Sequence, residues 1–406
     1  MHRSDSTLRI VMLGLALVAM IAVFTGCRKP PEIAPPEIPP EEPMKEGPTG
    51  EPYKIGAVFS ITGPAAPLGV PERDTAEMLE EQINAEGGIS GRPVEIVIRD
   101  TKGEETEALN AVKELVENEK VLAVVGPSRT GTTLAILDYM EKSETPLISC
   151  AAAVAITTPV KKWVFKTPQT DADAVTKIFE HFKKQSITKI AALTCTDAFG
   201  EAGLAQLEEQ GKSAGIAVVA KEAFGDKDTD MTGQLTKIKG TDAQAVVCWG
   251  IGAAPALIAK QMKQLQMTIP LVQSHGVANM KFIEVAGEAA NGVVFPAGRL
   301  LVADQLPDAD PQKETLLRYA EQFRGKYNRD PDTFGGHAWD AVQLVVKGLQ
   351  EAGDDKEGIR STIESTKDFV GIGGIFNYSA EDHYGLSPEA FVMVTIEDGK
   401  WKLLAE

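Results

Sequence analysis

The chain has 406 residues, of which 41 are Lys or Arg and 58 are Asp or Glu, so its formal charge is −17. That acidic surplus excludes a nucleic-acid binder, because a phosphate backbone is held by a basic stripe and repels an acidic surface. The four cysteines show no C-x-x-C spacing, which excludes a disulfide-dense scaffold and a zinc ribbon, and at about 150 residues per domain there is chain for two domains.

The first segment carries Arg3, Arg9 and a single acid, Asp5, and then runs unbroken and apolar from Ile10 to Phe24. A basic start followed by about 15 apolar residues and then small ones is the pattern of a secretory signal, not of a spanning helix. Thr25-Gly26-Cys27 closes the run and looks like a bacterial lipobox, with Phe24 where Leu is usual. Residues 1–26 are therefore expected to be a lipoprotein signal peptide, and Cys27 to bear the lipid. More than one acyl chain on that cysteine supplies the multiple signals that stable membrane anchoring needs.

From Pro30 to Pro52, nine prolines and six glutamates accompany one lysine. Such a stretch buries no core and extends by about 3.1 Å per residue in polyproline II, so residues 27–52 read as a tether. A tethered body works outside the cytoplasm, in the periplasm or at the envelope surface, beside a membrane but not within it.

Beyond Tyr53 the pattern alternates. YKIGAVFS reads as a strand ended by Thr62-Gly63-Pro64, and a helix follows with Ala76, Leu79 and Ile83 on one face, stopped by Gly87-Gly88. PVEIVIRD is a strand, and the next helix aligns Leu109, Val112, Leu115 and Val116. VLAVVG, TGTTLAILDYMEK and TPLIS continue as strand, helix and strand. Helices are then expected near 171–185, 199–214, 230–239 and 253–266, separated by the strands KIAALT, IAVVAKEAF and AVVCW and followed by IPLV. Two late helices, near 311–327 and 335–352, precede VGIGGIFNY and a hairpin, FVMVTI-EDG-KWKLL. Strands alternating with helices build parallel sheets from right-handed units. More than ten strands exceed one comfortable open sheet, so the fold class is α/β with two doubly wound parallel-sheet lobes and a ligand cleft between them. In such sheets ligands sit at the carboxyl ends of strands.

Motifs for catalysis are weak. GPSRTG (126–131) misses the G-x-S-x-G nucleophile elbow, and GIGAAP (250–255) has Pro255 in place of the third glycine of a dinucleotide fingerprint. His181 and His337 lie in helical stretches, where packing or surface roles are the ordinary reading. No enzyme activity, cofactor or metal is expected. One loop points to an anion. Gly126 ends a strand, Pro127 breaks it, and Ser128, Thr130 and Thr132 cluster where a helix starts with free N–H groups. N-capping by Ser128 or Thr130 explains those hydroxyls equally well. Ser149-Cys150-Ala151-Ala152-Ala153 follows the next strand, with small side chains that let a ligand approach the backbone.

IGAVFSITGPAAPLG, INAEGGISGRPVEIVIRD, VLAVVGPSRTGTTLA and DAFGEAGLAQLEE together resemble the type I periplasmic solute-binding proteins, nearest to the branched-chain amino-acid (Leu/Ile/Val) receptors of ABC importers. The resemblance spans about residues 53–406. It implies a Venus-flytrap with three crossovers between the lobes, one formed by 53–170 and 300–388, the other by 171–299 and 389–406. It also implies a monomer that gives a small carboxylate to the membrane subunits of an ABC permease. A ligand-sensing module of the same fold is the alternative.

By that resemblance Thr130, Ser128 and Ala151 grip the ligand carboxylate. Ala153 stands where the family has an ammonium-binding threonine, and His275 where it has an acidic residue. Phe199 replaces an aromatic hydroxyl, and Leu68 takes the place of a pocket aromatic. Trp249 is expected to line the pocket or pack at a strand end. An ammonium buried without a hydroxyl or carboxylate partner costs about 3–5 kcal/mol, which favours a des-amino, aromatic or oxo acid over the family's amino acids.

Overall fold

A computed structural model of the chain describes residues 47–404. The signal peptide, Cys27 and most of the tether lie outside the described residues. Within them, no helix is long and apolar enough to cross a membrane.

The first half of the body alternates as the hydrophobic pattern requires. It runs through β1 (Tyr53–Phe59), α1 (Ala66–Ala85), β2 (Val94–Asp100), α2 (Glu105–Glu117), β3 (Ala123–Val125), α3 (Thr130–Ser143), β4 (Leu147–Ser149) and β5 (Val164–Lys166). The five strands form one sheet in the order β2-β1-β3-β4-β5, with every neighbouring pair parallel. In β1 all residues but Lys54 are buried, the signature of a strand covered on both faces by helices.

The chain then enters a second sheet. α4 (Asp171–Lys184), β6 (Lys189–Cys195), α5 (Ala198–Ala214), β7 (Ala217–Phe224), α6 (Thr232–Lys239), β8 (Ala245–Trp249), α7 (Ala254–Gln264), β9 (Leu271–Gln273), α8 (Met280–Ala286) and β10 (Val294–Gly298) follow in order. α4 begins where Thr170 accepts a hydrogen bond from the Asp173 N–H, and it buries Val175, Ile178, Phe179 and Phe182 at helical spacing.

α9 (Lys313–Tyr327), α10 (Thr333–Ala352) and α11 (Lys356–Glu364) return to the first half, where α10 packs on α1. That approach is close. A Cβ on Gly335 would come 2.5 Å from the Tyr319 hydroxyl, and one on Gly336 would come 2.4 Å from Ile372. After a two-stranded ribbon, β11 (Phe369–Val370) with β12 (Ile375–Phe376), the hairpin β13 (Phe391–Glu397) and β14 (Lys400–Leu403) joins the second sheet. Its order is β14-β13-β10-β9-β8-β6-β7, parallel from β7 to β10 and antiparallel beyond. The chain thus passes between the two halves three times.

The expected α/β architecture and its helices are present. β5, α8, α11 and β10, segments of 3, 7, 9 and 5 residues, are additions that the sequence pattern did not bring out. Cys150, Cys195 and Cys248 are buried free thiols.

Candidate functional site

The site begins at the carboxyl ends of β3 and β4. These strands are adjacent and parallel, Val124 opposite Leu147, so the loops that follow them lie side by side, and the Cys150 N–H donates to the Pro127 carbonyl. Gly126 makes the first loop possible. Its φ is +89°, and a Cβ there would come 2.3 Å from the Val58 carbonyl oxygen.

Ser128 is committed to the scaffold. Its hydroxyl donates to the Glu72 carboxyl and accepts from the Ser60 N–H at 2.9 Å. Glu72 is fully buried, and burial pushes its carboxyl well above the ordinary carboxylate range. Neither Ser128 nor Thr130 caps α3. The N-cap is Arg129, which makes no side-chain capping bond, so the first N–H groups of α3 are left without a side-chain cap. The Ala151 N–H bonds the Ser149 hydroxyl at 3.1 Å, which in turn meets Thr133.

A cavity opens above these loops, and its lining includes Leu68, Ser128, Thr130, Ala151, Phe199 and His275. Six of the eight ligand residues expected from the sequence therefore line one cavity. Ala153 and Trp249 stand behind it. Ala153 packs with Ile156 and Val164, and Trp249 is fully buried, its ring 5.9 Å from those of Phe199 and His275. The wall also holds Arg129, Ile251, Phe334 and His337, which the sequence reading did not single out. Ile251 follows β8 in the GIGAAP segment, so the rule that ligands meet strand carboxyl ends could have found it. Phe334 and His337 come from α10, far along the chain, and no local pattern marks them.

Arg129 crosses between the two halves. Its guanidinium donates to Asp197, the N-cap of α5, at 2.8 Å and lies 3.7 Å from Asp226. The same side chain holds the Gly103 carbonyl at 3.2 Å, so it fastens the first loop to both sides of the cavity.

The second sheet contributes the least satisfied polar atoms. His275 sits just past β9 with its ring edge-on to Phe199 and Trp249, 5.3 and 5.9 Å between centroids, and 5.4 Å from Phe391. Neither ring nitrogen has a hydrogen-bond partner among the described residues. Its Nε2 lies 3.9 Å from Oδ1 of Asp171, the first residue of α4, whose two oxygens are also fully buried and unpartnered.

Burial, with Lys166 and His337 nearby, holds the His275 imidazole down to about 3, so it is neutral at physiological pH. His337 is held down to about 3 for the same reasons, burial first and Lys166 second. Burial raises the Asp171 carboxyl and lowers the Lys166 ammonium, while each offsets part of the other's shift. Lys166 is fixed at the end of β5, donating to the Ala152 carbonyl with its ammonium 4.9 Å from the Tyr384 ring centre. The sequence reading found no carboxylate on this side of the cavity because it looked at position 275. The acid comes instead from the start of α4.

The arrangement can hold a small molecule by its ends. One wall offers uncapped helix N–H groups and a hydroxyl. The other offers a neutral imidazole with a carboxylate behind it, and apolar side chains fill the space between. Among the described residues no group of three or more His, Cys, Asp or Glu side chains is placed to hold a metal ion.

Comparison with known proteins agrees with this arrangement. Residues 52–400 match the model of the periplasmic binding protein family. A leucine-, isoleucine-, valine-, threonine- and alanine-binding protein of Pseudomonas aeruginosa is 29% identical over 319 residues, covering 77% of this chain and 82% of that protein. An extracellular ligand-binding receptor from Rhodopseudomonas palustris superposes with a TM-score of 0.82 at 27% identity, over 88% of this chain and all of that one. The branched-chain amino acid transporter substrate binding protein LivJ of Streptococcus pneumoniae, solved in complex with isoleucine, superposes with a TM-score of 0.78 at 29% identity, over 87% of this chain and 98% of that one. With two mainly parallel sheets, a cavity at their strand ends and a family match over most of its length, the chain belongs to the periplasmic binding proteins, a family of binding proteins and not of enzymes.

Proposed function

We propose that this protein is the extracytoplasmic solute-binding component of an ABC importer and that its ligand is a small α-amino acid. The observation that carries this reading is the pairing of Asp171 with His275 behind an otherwise apolar cavity. The ligand carboxylate meets the Thr130 hydroxyl and the first N–H groups of α3, while the Ala151 N–H, expected to share in this, is already bonded to the Ser149 hydroxyl. The ammonium donates to the free ring nitrogen of neutral His275, whose other nitrogen faces Asp171. A buried ammonium is tolerable only beside a compensating negative charge, and Asp171 supplies it. This replaces the des-amino or oxo acid favoured by the sequence alone. The names of the Pseudomonas and Streptococcus relatives support an amino acid as ligand.

The two halves are proposed to move as lobes, 53–170 with 300–388 against 171–299 with 389–406, closing on the ligand and presenting it to a permease. Hinge closure of this kind shortens the molecule, and binding raises its melting temperature by mass action. Calorimetric titration with leucine and with its 2-oxo counterpart tests the reading. Leucine is expected to bind at least about 30-fold more tightly, since only leucine uses the Asp171 charge. Oxo-acid binding without leucine binding overturns the amino-acid assignment.

Membrane attachment through Cys27 is part of the same proposal, supported by the lipobox-like residues and the tether that follows them. Cys27→Ser is expected to move the protein to the soluble fraction. Persistence in salt-washed membranes would rule out the lipid anchor.

A further inference from the structure

Once the carboxylate and ammonium of such a ligand are accounted for, one polar side chain at the cavity has no task. His337 lies one turn after Phe334 on α10, lines the cavity, and is 4% exposed. Its backbone is pinned by the Thr167 hydroxyl, which donates to the His337 carbonyl at 2.9 Å, and its ring is set edge-on to Phe334 with centroids 6.3 Å apart. Its Nδ1 is buried without a hydrogen-bond partner among the described residues. The other polar side chains of that wall are engaged. Ser128 is bonded to Glu72 and Ser60, and Arg129 to Asp197 and Gly103.

His337 is a poor ammonium site. The charged group acting on it, Lys166, brings no negative charge, and the nearest carboxylate on its own helix, Asp340, already accepts from the N–H groups of Ile372 and Gly373. A neutral imidazole in this setting suits a neutral hydrogen-bonding group. An aliphatic side chain laid against it would leave a buried polar atom unsatisfied, whereas a hydroxyl or amide would satisfy it. The discrimination is asymmetric. An apolar pocket barely rejects an added hydroxyl, but a site built around a buried hydrogen-bonding group strongly rejects the ligand that lacks its partner.

We infer that the site selects an α-amino acid whose side chain carries a hydroxyl or amide hydrogen-bonded to His337, in preference to the aliphatic amino acid of the same shape. This rests on the amino-acid reading above and names the side-chain class within it.

Two near-isosteric pairs test the inference on the full chain by calorimetric titration: threonine against valine, and asparagine against leucine. The wild-type protein is expected to bind the polar member of at least one pair roughly 10-fold more tightly or better. His337→Leu should bring that ratio to about one or reverse it, while His337→Gln, which keeps hydrogen-bonding capacity, should retain the preference. Circular dichroism melts establish that each variant is folded, and the wild-type ratio stands as a test even if a variant is not. Equal or tighter binding of valine and leucine by the wild type overturns the side-chain inference and leaves the amino-acid reading intact. An undiminished polar preference in folded His337→Leu also overturns it. If none of the four binds, the amino-acid reading fails and this inference with it.

Discussion

The two walls of the cavity are built on different principles. On the side of the five-stranded sheet, nearly every polar side chain is already bonded within the protein: Ser128 to Glu72 and Ser60, Thr133 to Ser149, Arg129 to Asp197. What remains for a ligand there is the uncapped first turn of α3, Thr130 and, from α10, His337 with its unpartnered Nδ1. On the side of the seven-stranded sheet, the unsatisfied atoms belong to side chains: both nitrogens of His275, both oxygens of Asp171 and the indole nitrogen of Trp249. A backbone anion site works for any carboxylate, because it reads only charge and helix direction. A side-chain site reads the particular ligand, because each unpaired buried group penalises a ligand that cannot pair with it. The contrast therefore separates affinity common to all carboxylates from affinity that discriminates among them.

The sharpest way to break this comparison is Asp171→Asn. Removing one partner of a buried charge pair costs about 3–5 kcal/mol, so leucine is expected to lose about 100-fold or more in calorimetric affinity, with its 2-oxo counterpart changing little. A pH titration sharpens the same point. Burial raises the Asp171 carboxyl above its ordinary range, and only its ionised form compensates an ammonium. Amino-acid affinity should therefore weaken as pH falls through that raised value, by at most about tenfold per pH unit. The slope should vanish in Asp171→Asn and be absent for the oxo acid. His275, held near 3, adds no step around its ordinary value near neutrality. A slope shared by both ligands would place the titrating group at the carboxylate end.

Thr130→Val probes the opposite wall. It keeps the shape and removes the hydroxyl, at a cost of about 1–3 kcal/mol. In contrast to Asp171→Asn, leucine and its oxo acid should weaken together in parallel titrations. A loss confined to one of them would mean that Thr130 reads more than the carboxylate.

The smallest expected effect is at Arg129, which touches both walls. Its ion pair with Asp197 is mostly shielded from solvent, with 14% and 19% of the two side chains exposed. Arg129→Met should lower affinity for all ligands alike by about fivefold, since a half-buried pair contributes on the order of 1 kcal/mol to holding the halves together. Small-angle scattering of the unliganded protein should show a larger radius for the variant than for the wild type. An unchanged radius and affinity would remove the cross-cleft pair from the closing mechanism.

Much of the architecture was legible in the pattern of residues. The helices expected near 171–185 and 199–214 are α4 and α5, and the closing hairpin is β13 with β14. Long amphipathic segments and alternating strands report their own burial, so periodicity suffices for them. β5, α8, α11 and β10 escaped, although α11 with 9 residues is longer than α6, which the pattern found. The juxtaposition of the loops at Gly126–Thr130 and after Ser149 was also legible, because they follow adjacent parallel strands.

The carboxylate beside His275 escaped for an equally physical reason. Position 275 was judged alone, and a histidine there implied a missing charge. Asp171 lies in the first turn of α4, where an acid is favourable to the helix dipole, so nothing local marks it as buried. Only the packing of α4 against α5, β10 and β13 buries that carboxylate and brings it to 3.9 Å from His275. His337 changed in the same way, from a helical histidine of no distinction to part of the cavity wall, because Gly335 and Gly336 let α10 press close against its neighbours.

The amino-acid sequence by itself determined most of the elements, their alternation, the two-sheet α/β class and the adjacency of the loops after β3 and β4. Each of these depends on interactions between residues near in the chain, where spacing and side-chain type are the whole cause. Tertiary structure alone decided which polar groups would be left buried without partners. Solvation is lost only when distant segments close over a side chain, and here β5, α4, β9 and α10 meet from residues 166, 171, 275 and 337. The energy of an unpaired buried group belongs to that assembled environment, not to any stretch of sequence within it.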